Sequence, residues 1–356
     1  MSEFDIKLYK YRLKYKKPIF MKGQWQDHRM GLILTYKIEK DSESIVDTNT
    51  IDKGLSKYYF TEFAPFLGLH EESIEGILNL KSKILSIAEK IVKKELVDLS
   101  VFPSSVRIGL ELFQNEILTN HINPEKINEQ LIHVAPLVHG SEKEVLEKVE
   151  DINNFKSVKS IKLKLGRQKL QDDIDLFNLV DFNLNKSIKI RADINRAWSY
   201  EDAILFSKKI IKSRVEYFEE PINDFNKLDD LFLETGMNYA LDESIYEGLE
   251  INSFKYKYAL IIKPNLLESL DLLNEFKYKK NKMIFSSAFE SGILISKYLG
   301  LVEEFADLND AQGLDTYSSL DQDVLKNRLL FKDYKISLSE IYQQSNFLNY
   351  SVLEEI

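Results

Sequence analysis

From about residue 131 to residue 316, short apolar runs alternate with segments of helical periodicity. Eight strands with intervening helices, such as SYEDAILFSKKIIKS, predict a parallel barrel, with a doubly wound open sheet as the alternative. The unit after YALDES is short, which makes a helix there doubtful. The predicted strands are LIHVAPLV (131–138), VKSIKLKL (158–165), SIKIRADI (187–194), VEYFEEP (215–221), YALDES (239–244), YALIIKP (258–264), KMIFSSA (282–288) and LNDAQGLDT (308–316).

The chain before this alternation has a different pattern. Residues 4–15 and 30–39 alternate like strands, and the polar segment KGQWQDH between them is predicted to be a loop that could close over the barrel mouth. Helical periodicity follows over about 71–95 and about 104–120. We therefore predict an α+β domain over residues 1–120, a barrel over 121–316, and a segment over 317–356 that packs back on the first domain.

Composition limits the classes of function. The chain has 356 residues. Its net charge of −9 argues against a nucleic-acid partner. It contains no cysteine, and this absence excludes disulfides and thiolate chemistry. It contains no uncharged apolar run of about 18 residues, so no membrane span is expected. We expect a cytoplasmic protein and leave its oligomeric state open.

Charged residues lie where a parallel barrel carries its chemistry, at the C-terminal ends of the strands. Alternation places Arg191, Asp193 and Asn195 on one face of their strand, but it does not choose between Glu219 and Glu220. Because outward residues of a barrel strand pack under helices, the charged set is expected to face the barrel mouth. About one βα unit apart, the charged strand ends are Lys162 and Lys164, then Asp193, Glu219, Asp242 and Lys263.

These residue types point to one kind of chemistry. Three carboxylates from adjacent strands form an oxygen-only site that suits Mg²⁺, with Mn²⁺ as the alternative ion. A metal ion bound to a substrate carboxylate makes the neighbouring carbon more acidic, and a nearby lysine can then remove its proton. The sequence therefore predicts proton abstraction from a small-molecule carboxylate.

The order of these residues, K-x-K, Asp193, E-E-P, L-D-E-S and I-K-P, resembles the enolase superfamily. It looks like the muconate-lactonising branch, whose members share a capping domain and a modified (β/α)₇β TIM-like barrel. Within that branch, RADINRAW (191–198), SSAFESGIL (286–294) and GLDT (313–316) resemble the o-succinylbenzoate synthase family. TEFAPFLG (61–68) is similar to that family's G-E-x-x-P-x-x-G segment, although Thr61 replaces the usual glycine.

The resemblance implies roles for these residues. Lys164 would remove the α-proton of a cyclohexadiene carboxylate and then protonate the departing hydroxyl, in a step of menaquinone biosynthesis. Lys263 would stabilise the enolate from the opposite face, and Lys162 would support Lys164 or the substrate carboxylate. Asp193, Glu219 and Asp242 would hold Mg²⁺. The expected substrate contacts are Asn195, Arg191, Ser286, Ser287 and Gly313. Separately from the resemblance, Arg29, beside the polar loop predicted to close over the barrel mouth, is expected to meet a substrate carboxylate.

Other interpretations stay open at this point. An amino-acid or dipeptide epimerase of the same branch would use Lys164 and Lys263 as two bases, and a barrel without catalysis would only bind a ligand. Trp198 is predicted to pack, whereas Trp25 either packs or touches substrate. The remaining candidates are expected to be surface or locally bonded histidines: His28, His70, His121, His133 and His139.

Overall fold

A computed structural model describes residues 4–21, 23–38, 57–119 and 130–356. Its first part contains an antiparallel sheet of four strands in the order β14-β1-β2-β3, in which the C-terminal strand pairs with β1. We call this sheet the capping sheet. Its strands are β1 (Asp5–Met21), β2 (Gln24–Ile38), β3 (Lys57–Phe63) and β14 (Leu353–Glu355).

The polar segment predicted to be a loop is instead part of the β1–β2 hairpin. Phe20 pairs with Trp25, and the turn contains Gly23 at a φ of 82°, where glycine avoids the steric cost of a side chain. This end of the hairpin is a solvated two-stranded ribbon, so its residues carry no hydrophobic alternation. The loop prediction was wrong for that reason.

Among the described residues of this first part, three helices cover one face of the capping sheet. The single helix predicted over 71–95 is two helices, whereas the helix predicted over 104–120 is confirmed. Phe63, Ile84 and Phe113 belong to the apolar cluster between sheet and helices. The helices are α1 (Ile74–Leu78), α2 (Lys81–Val92) and α3 (Ser104–Thr119).

The second part is a closed parallel barrel, so the predicted (β/α)₇β fold is confirmed. A seven-stranded parallel sheet runs from β5 to β11, and β12 pairs in parallel with β4. A parallel bridge between Ser286, just after β11, and Gly313, just after β12, joins these two strands and closes the barrel. The barrel strands are β4 (Leu131–Val134), β5 (Leu137–Val138), β6 (Ser160–Lys164), β7 (Lys189–Asp193), β8 (Val215–Glu219), β9 (Tyr239–Leu241), β10 (Lys257–Ile262), β11 (Met283–Phe285) and β12 (Ala311–Gln312).

Helices surround this barrel and cover the outward side chains of its strands. Ile161, Leu163 and Leu165 of the β6 segment are buried in this helix layer. The helix after β9 has only four residues, in agreement with the short unit seen in the sequence. The helices are α4 (Glu142–Asn153), α5 (Leu170–Asn183), α6 (Tyr200–Ser207), α7 (Leu228–Thr235), α8 (Glu243–Tyr246), α9 (Asp271–Tyr278) and α10 (Gly292–Phe305). Within the described ranges, no helix is long and apolar enough to cross a membrane.

The C-terminal segment contacts both parts of the molecule. β13 (Lys335–Ser337) pairs antiparallel with β4 of the barrel and leads into α11 (Leu338–Gln344). β14 then pairs with β1. The tail therefore crosses from the barrel wall to the capping sheet.

The segment TEFAPFLG lies at the junction of capping sheet and barrel. Thr61, which stands where the resembling family has glycine, is fully buried and donates a 2.8 Å hydrogen bond to the carbonyl oxygen of Gly109. Its hydroxyl is therefore satisfied, and this departure from the family pattern fits the fold. The amide of Asn265, just after β10, donates to the carbonyl oxygen of Ala64 at 2.7 Å.

Candidate active site

The inward face of β6 carries the two lysines of the K-x-K motif. Successive side chains of a strand point to opposite faces, so the buried Ile161 and Leu163 leave Lys162 and Lys164 inside the barrel. The two lysine side chains are 14% and 19% exposed, respectively. Charged groups this deep require partners of opposite charge.

Carboxylates at the ends of the next strands supply those partners. Lys162 Nζ lies 2.8 Å from Asp193 Oδ2 and 2.8 Å from Glu219 Oε2. Lys164 Nζ lies 2.5 Å from Asp193 Oδ2. On the other side, Lys263 Nζ donates to Asp242 Oδ1 at 2.6 Å. The structure therefore gathers these lysines and carboxylates, named from the sequence, at the barrel mouth: Lys162, Lys164, Asp193, Glu219, Asp242 and Lys263.

The strand order fixes how these groups face one another. β7, β8 and β9 lie between β6 and β10 in the sheet, so Lys164 and Lys263 stand on opposite sides of the barrel. The three carboxylates form the arc between them. A planar substrate held over this arc would have one lysine near each face.

Burial and neighbouring charges together raise the pKa of some groups in this site and lower the pKa of others. Burial, and next the charge of Asp193, raises the pKa of Glu219 to about 8. Burial acts the same way on Asp193, but the ammonium groups of Lys162 and Lys164 outweigh it and lower the pKa of that carboxyl. For Lys263, burial would lower the pKa, yet the neighbouring carboxylates of Asp242, Glu243 and Glu219 together outweigh it and raise the pKa.

The carboxylate oxygens of this site are candidate ligands for a metal ion. Among the described residues, no group of three or more His, Cys, Asp or Glu side chains is gathered closely enough to hold one. Two buried carboxylate oxygens nevertheless have neither a hydrogen-bond partner nor an ion-pair partner, Asp193 Oδ1 and Glu243 Oε2, whereas Asp193 Oδ2 is paired with the two lysines. Oxygen donors on adjacent strands suit Mg²⁺, so the residues present fit that ion.

The structure separates the two glutamates of the E-E-P motif. Glu219 faces the barrel, whereas Glu220 turns away and accepts hydrogen bonds from the backbone N–H groups of Asp242, at 2.9 Å, and Ser244, at 2.8 Å. The guanidinium of Arg196 donates to the other oxygen of Glu220. Glu220 therefore positions Asp242 rather than joining the site.

Asn195 reaches the site, together with a residue that we did not predict. Its side-chain oxygen accepts from Lys164 Nζ at 3.0 Å, and its amide donates to Glu243 Oε1 at 3.1 Å. Burial would raise the pKa of Glu243, but nearby charge, chiefly that of Lys263, lowers it. Glu243 is part of the L-D-E-S motif, but strand alternation alone does not show which side chains of that motif face the site.

The predicted contacts from the last two strands also lie close together. Ser286 and Ser287 are buried, and both hydroxyls face the carbonyl oxygen of Gly313, at 3.2 and 3.5 Å. A Cβ at Gly313 would lie 3.0 Å from Ser286 Oγ, which makes this a tight approach. Ser286 and Gly313 line the same small interior space as Lys162 and Glu219.

Arg191 does not offer its guanidinium to a substrate. It donates to both carboxylate oxygens of Glu216, at 2.7 and 3.1 Å, and to the carbonyl oxygen of Ala311. A register shift in the β7–β8 pairing places Glu216 beside it. These partners lie toward the N-terminal ends of the strands, so the predicted substrate contact of Arg191 is corrected to a structural role.

Arg29 is corrected in the same way. It is 3% exposed, and its guanidinium donates only to backbone carbonyl oxygens within the described structure. Four hydrogen bonds occupy it, so it fastens the capping sheet to the segment after β11. The acceptors are Met30, Ala64, Pro65 and Phe289.

The tryptophans and the four described histidines stay outside the carboxylate cluster. Trp198 is buried and donates from Nε1 to Asp173 Oδ2 at 3.0 Å, whereas Trp25 is 72% exposed on the hairpin. Three histidines have local partners: His28 lies 2.7 Å from Asp27, His70 accepts from the N–H of Phe66, and His133 lies 3.1 Å from the carbonyl oxygen of Ser157. Burial lowers the pKa of His139. His121 lies outside the described residues.

Comparisons with known proteins agree with this geometry. Residues 144–255 match the family described as enolase C-terminal domain-like. The fold resembles that of the L-Ala-D/L-Glu epimerase from Bacillus subtilis, with a TM-score of 0.72, 15% identity and coverage of 95% of this chain and 96% of that one. The chain is therefore similar to the enolase C-terminal domain-like family over residues 144–255, the part of the barrel that carries most of the arc of lysines and carboxylates.

Curated proteins with similar sequences include o-succinylbenzoate synthases. The chain is 26% identical to the o-succinylbenzoate synthase of Aliivibrio salmonicida over 318 residues, which cover 87% of this chain and 89% of that one. It also resembles the structure of o-succinylbenzoate synthase from Thermosynechococcus elongatus complexed with Mg in the active site. That match has a TM-score of 0.69, 17% identity and coverage of 91% and 96%. The chain is thus similar in sequence to synthases of this kind.

Proposed function

We propose that the protein is an o-succinylbenzoate synthase, a hydro-lyase that converts a hydroxycyclohexadiene carboxylate bearing a succinyl chain into o-succinylbenzoate and water. The observation that carries this proposal is the placement of Lys164 and Lys263 on opposite sides of three carboxylates. The sequence similarity to synthases over most of the chain supports the choice of reaction. This reaction belongs to menaquinone biosynthesis.

Charge balance supports a metal ion in this reaction. The cluster holds three ammonium groups against the carboxylates of Asp193, Glu219, Asp242 and Glu243, so it has no excess positive charge for a substrate with two carboxylates. Asp193, Glu219 and Asp242 would hold Mg²⁺, or Mn²⁺ in its place. When bound, the ion would supply the positive charge that makes the carbon beside the substrate carboxylate acidic.

Lys164 is the group that moves the proton. In its neutral form, Nζ would take the proton from the carbon beside the carboxylate and become an ammonium. The same ammonium would give that proton to the departing hydroxyl, which leaves as water while the ring becomes aromatic. Asn195 would hold Nζ in place, since its oxygen lies 3.0 Å away.

Lys263 would stay charged through this sequence. Its ammonium, on the far side of the barrel, would stabilise the negative charge that develops on the substrate. Tyr246 fixes the backbone of Lys263, whose N–H donates to the tyrosine oxygen at 2.5 Å. Lys162 would balance Asp193 and Glu219, between which it lies.

An epimerase of the same superfamily is the second candidate, because epimerases share the fold and the two lysines suit two-base chemistry. Asp315, in the eighth-strand segment, bears on this choice. Its Oδ2 accepts from the backbone N–H of Leu137 at 2.8 Å, and the side chain is buried. This engagement disfavours Asp315 as a partner for a substrate ammonium group, and it favours the synthase.

One experiment separates these candidates from a barrel that only binds a ligand. The purified protein is incubated with the cyclohexadiene substrate, with and without Mg²⁺, and loss of diene absorbance and formation of product are followed. A parallel sample in D₂O contains a dipeptide or an N-acyl amino acid. Dehydration that requires Lys164 supports the proposal. Deuterium at the α-carbon without dehydration would identify an epimerase, and the absence of both reactions would refute catalysis.

A further inference from the structure

A second polar cavity lies at the opposite end of the barrel. It encloses about 370 Å³ and is lined by residues at or just before the starts of the barrel strands, among them Ser160, Lys189, Val215 and Tyr258. We call it the floor cavity. Arg191 and the apolar layer that includes Tyr217 separate it from the lysines and carboxylates of the mouth. The floor cavity is therefore distinct from the candidate active site.

The charges around the floor cavity leave a positive excess. Arg191 is paired with Glu216, and the nearby Lys282 lies 2.8 Å from Asp310. These pairs balance the two carboxylates of the lining.

Two lysines of the lining remain. The ammonium groups of Lys159 and Lys189 donate to the carbonyl oxygens of Asn309 and Ser213, each at 2.8 Å. Neither contact neutralises a charge, and each ammonium has further N–H groups to offer.

A buried hydroxyl provides the second observation. Ser160 is 2% exposed, lines the floor cavity, and its Oγ has no hydrogen-bond partner in the structure. It shares the inward face of β6 with Lys162 and Lys164, which places it at the floor end of that strand. A buried polar atom without a partner costs free energy unless something binds it.

We propose that the floor cavity binds a small anion through a carboxylate or phosphate group. Lys159 and Lys189 supply the charge, and the hydroxyl of Ser160 donates a hydrogen bond to an anion oxygen. Val215 and the ring of Tyr258 form walls for an organic body, for which the volume leaves room. This proposal does not depend on the reaction at the mouth, since the two sites lie at opposite ends of the barrel.

Binding is tested on the full chain with two probes, inorganic phosphate and succinate, by isothermal titration calorimetry and thermal unfolding. We expect saturable binding of at least one probe and a rise in melting temperature, and the comparison shows which oxygen group the cavity takes. Replacing a charged donor removes a charge-assisted hydrogen bond, so Lys159→Gln and Lys189→Gln should each weaken binding about tenfold or more. Ser160→Ala should weaken it less.

Two controls locate the bound anion. Lys208→Gln changes an exposed lysine at the end of α6 and should leave binding unchanged. Lys164→Ala removes an ammonium group of the mouth and should also leave it unchanged. Binding that survives Lys159→Gln and Lys189→Gln but is lost in Lys164→Ala would overturn the proposal, as would the absence of saturable binding by either probe. Activity does not enter these measurements, so failure here is separate from failure of the proposed reaction.

Discussion

Glu62 of the capping sheet accepts a 2.6 Å hydrogen bond from the hydroxyl of Ser291, the N-cap residue of α10 of the barrel. Its carboxylate also faces the backbone N–H groups of Ser291 and Leu294, both at 3.3 Å, and the hydroxyl of Tyr11. A buried carboxylate at a helix N-terminus is stabilised by such donors. Glu62 thus ties the two parts of the molecule together.

Replacing Glu62 tests this tie. Glu62→Ala leaves several buried donors without an acceptor, so the free energy of unfolding should fall by about 2–4 kcal/mol. Chemical denaturation followed by circular dichroism measures it. Glu95→Ala, at an exposed glutamate, should stay within about 0.5 kcal/mol of the parent. Equal effects in the two variants would show that Glu62 does not stabilise the junction.

Lys164→Ala tests the assignment of the proton carrier. The variant should fold, because the side chain lies at the barrel mouth, while kcat falls by about 10²–10⁴-fold. Steady-state assays with the cyclohexadiene substrate give the rates. Lys208→Ala is the matched control and should keep the parent rate. Unchanged turnover in Lys164→Ala would refute the proposed mechanism.

Removal of divalent ions tests the carboxylate arc. Treatment with EDTA should abolish turnover, and added Mg²⁺ should restore it. Asp193→Asn removes a charged ligand, so calorimetry should show Mg²⁺ binding weakened by about tenfold or more. Full activity after exhaustive chelation would show that the reaction does not require a divalent ion.

Arg29→Lys tests whether this arginine is structural. Lysine cannot reproduce the fork that serves four carbonyl oxygens, so the free energy of unfolding should fall by about 1–3 kcal/mol while kcat/KM stays unchanged. Arg12→Lys, on the exposed hairpin, is the control for stability. A lower kcat/KM with unaltered stability would show that Arg29 contacts the substrate.

Glu144 should make stability depend on pH. The hydrogen bond from Lys17, and next the N–H of Ser141, lowers the pKa of this carboxyl from 4.5 to about 2. A lowered pKa in the folded state contributes stability that is present above pH 4.5 and is lost as the pH falls toward 2. Melting temperatures of the parent and Glu144→Gln should therefore differ most at neutral pH and converge in acid. A constant difference across this range would contradict the assignment.

The sequence allowed prediction of the barrel and its charged mouth because both follow from repetition. One charged residue per βα unit, as at Asp193 and Glu219, marks a strand end without knowledge of its neighbours. The partners of Arg29 could not be foreseen, since they are backbone carbonyl oxygens and carry no side-chain signature. Arg191 was placed on the correct face, yet the shift in register that brings Glu216 beside it is invisible in the alternation.

The same limit explains Glu243 and the hairpin. Chain direction changes at Asp242, the residue just before α8, so strand alternation no longer tells which side chain faces the site. The β1–β2 ribbon is solvated at its end, and strand periodicity there has no hydrophobic component to reveal it. In both places the fold departs from the pattern on which the prediction rested.

The pairing of β12 with β4 has a consequence for how the chain reaches its native state. Leu137 and Asp315, which meet where the barrel closes, are 178 residues apart in the chain. Contacts between such distant residues form slowly, because the intervening chain must first be brought together. During synthesis, the early strands therefore stand as an incomplete sheet with open edges until β12 has been made. The interval before closure is when the nascent chain is most exposed to aggregation.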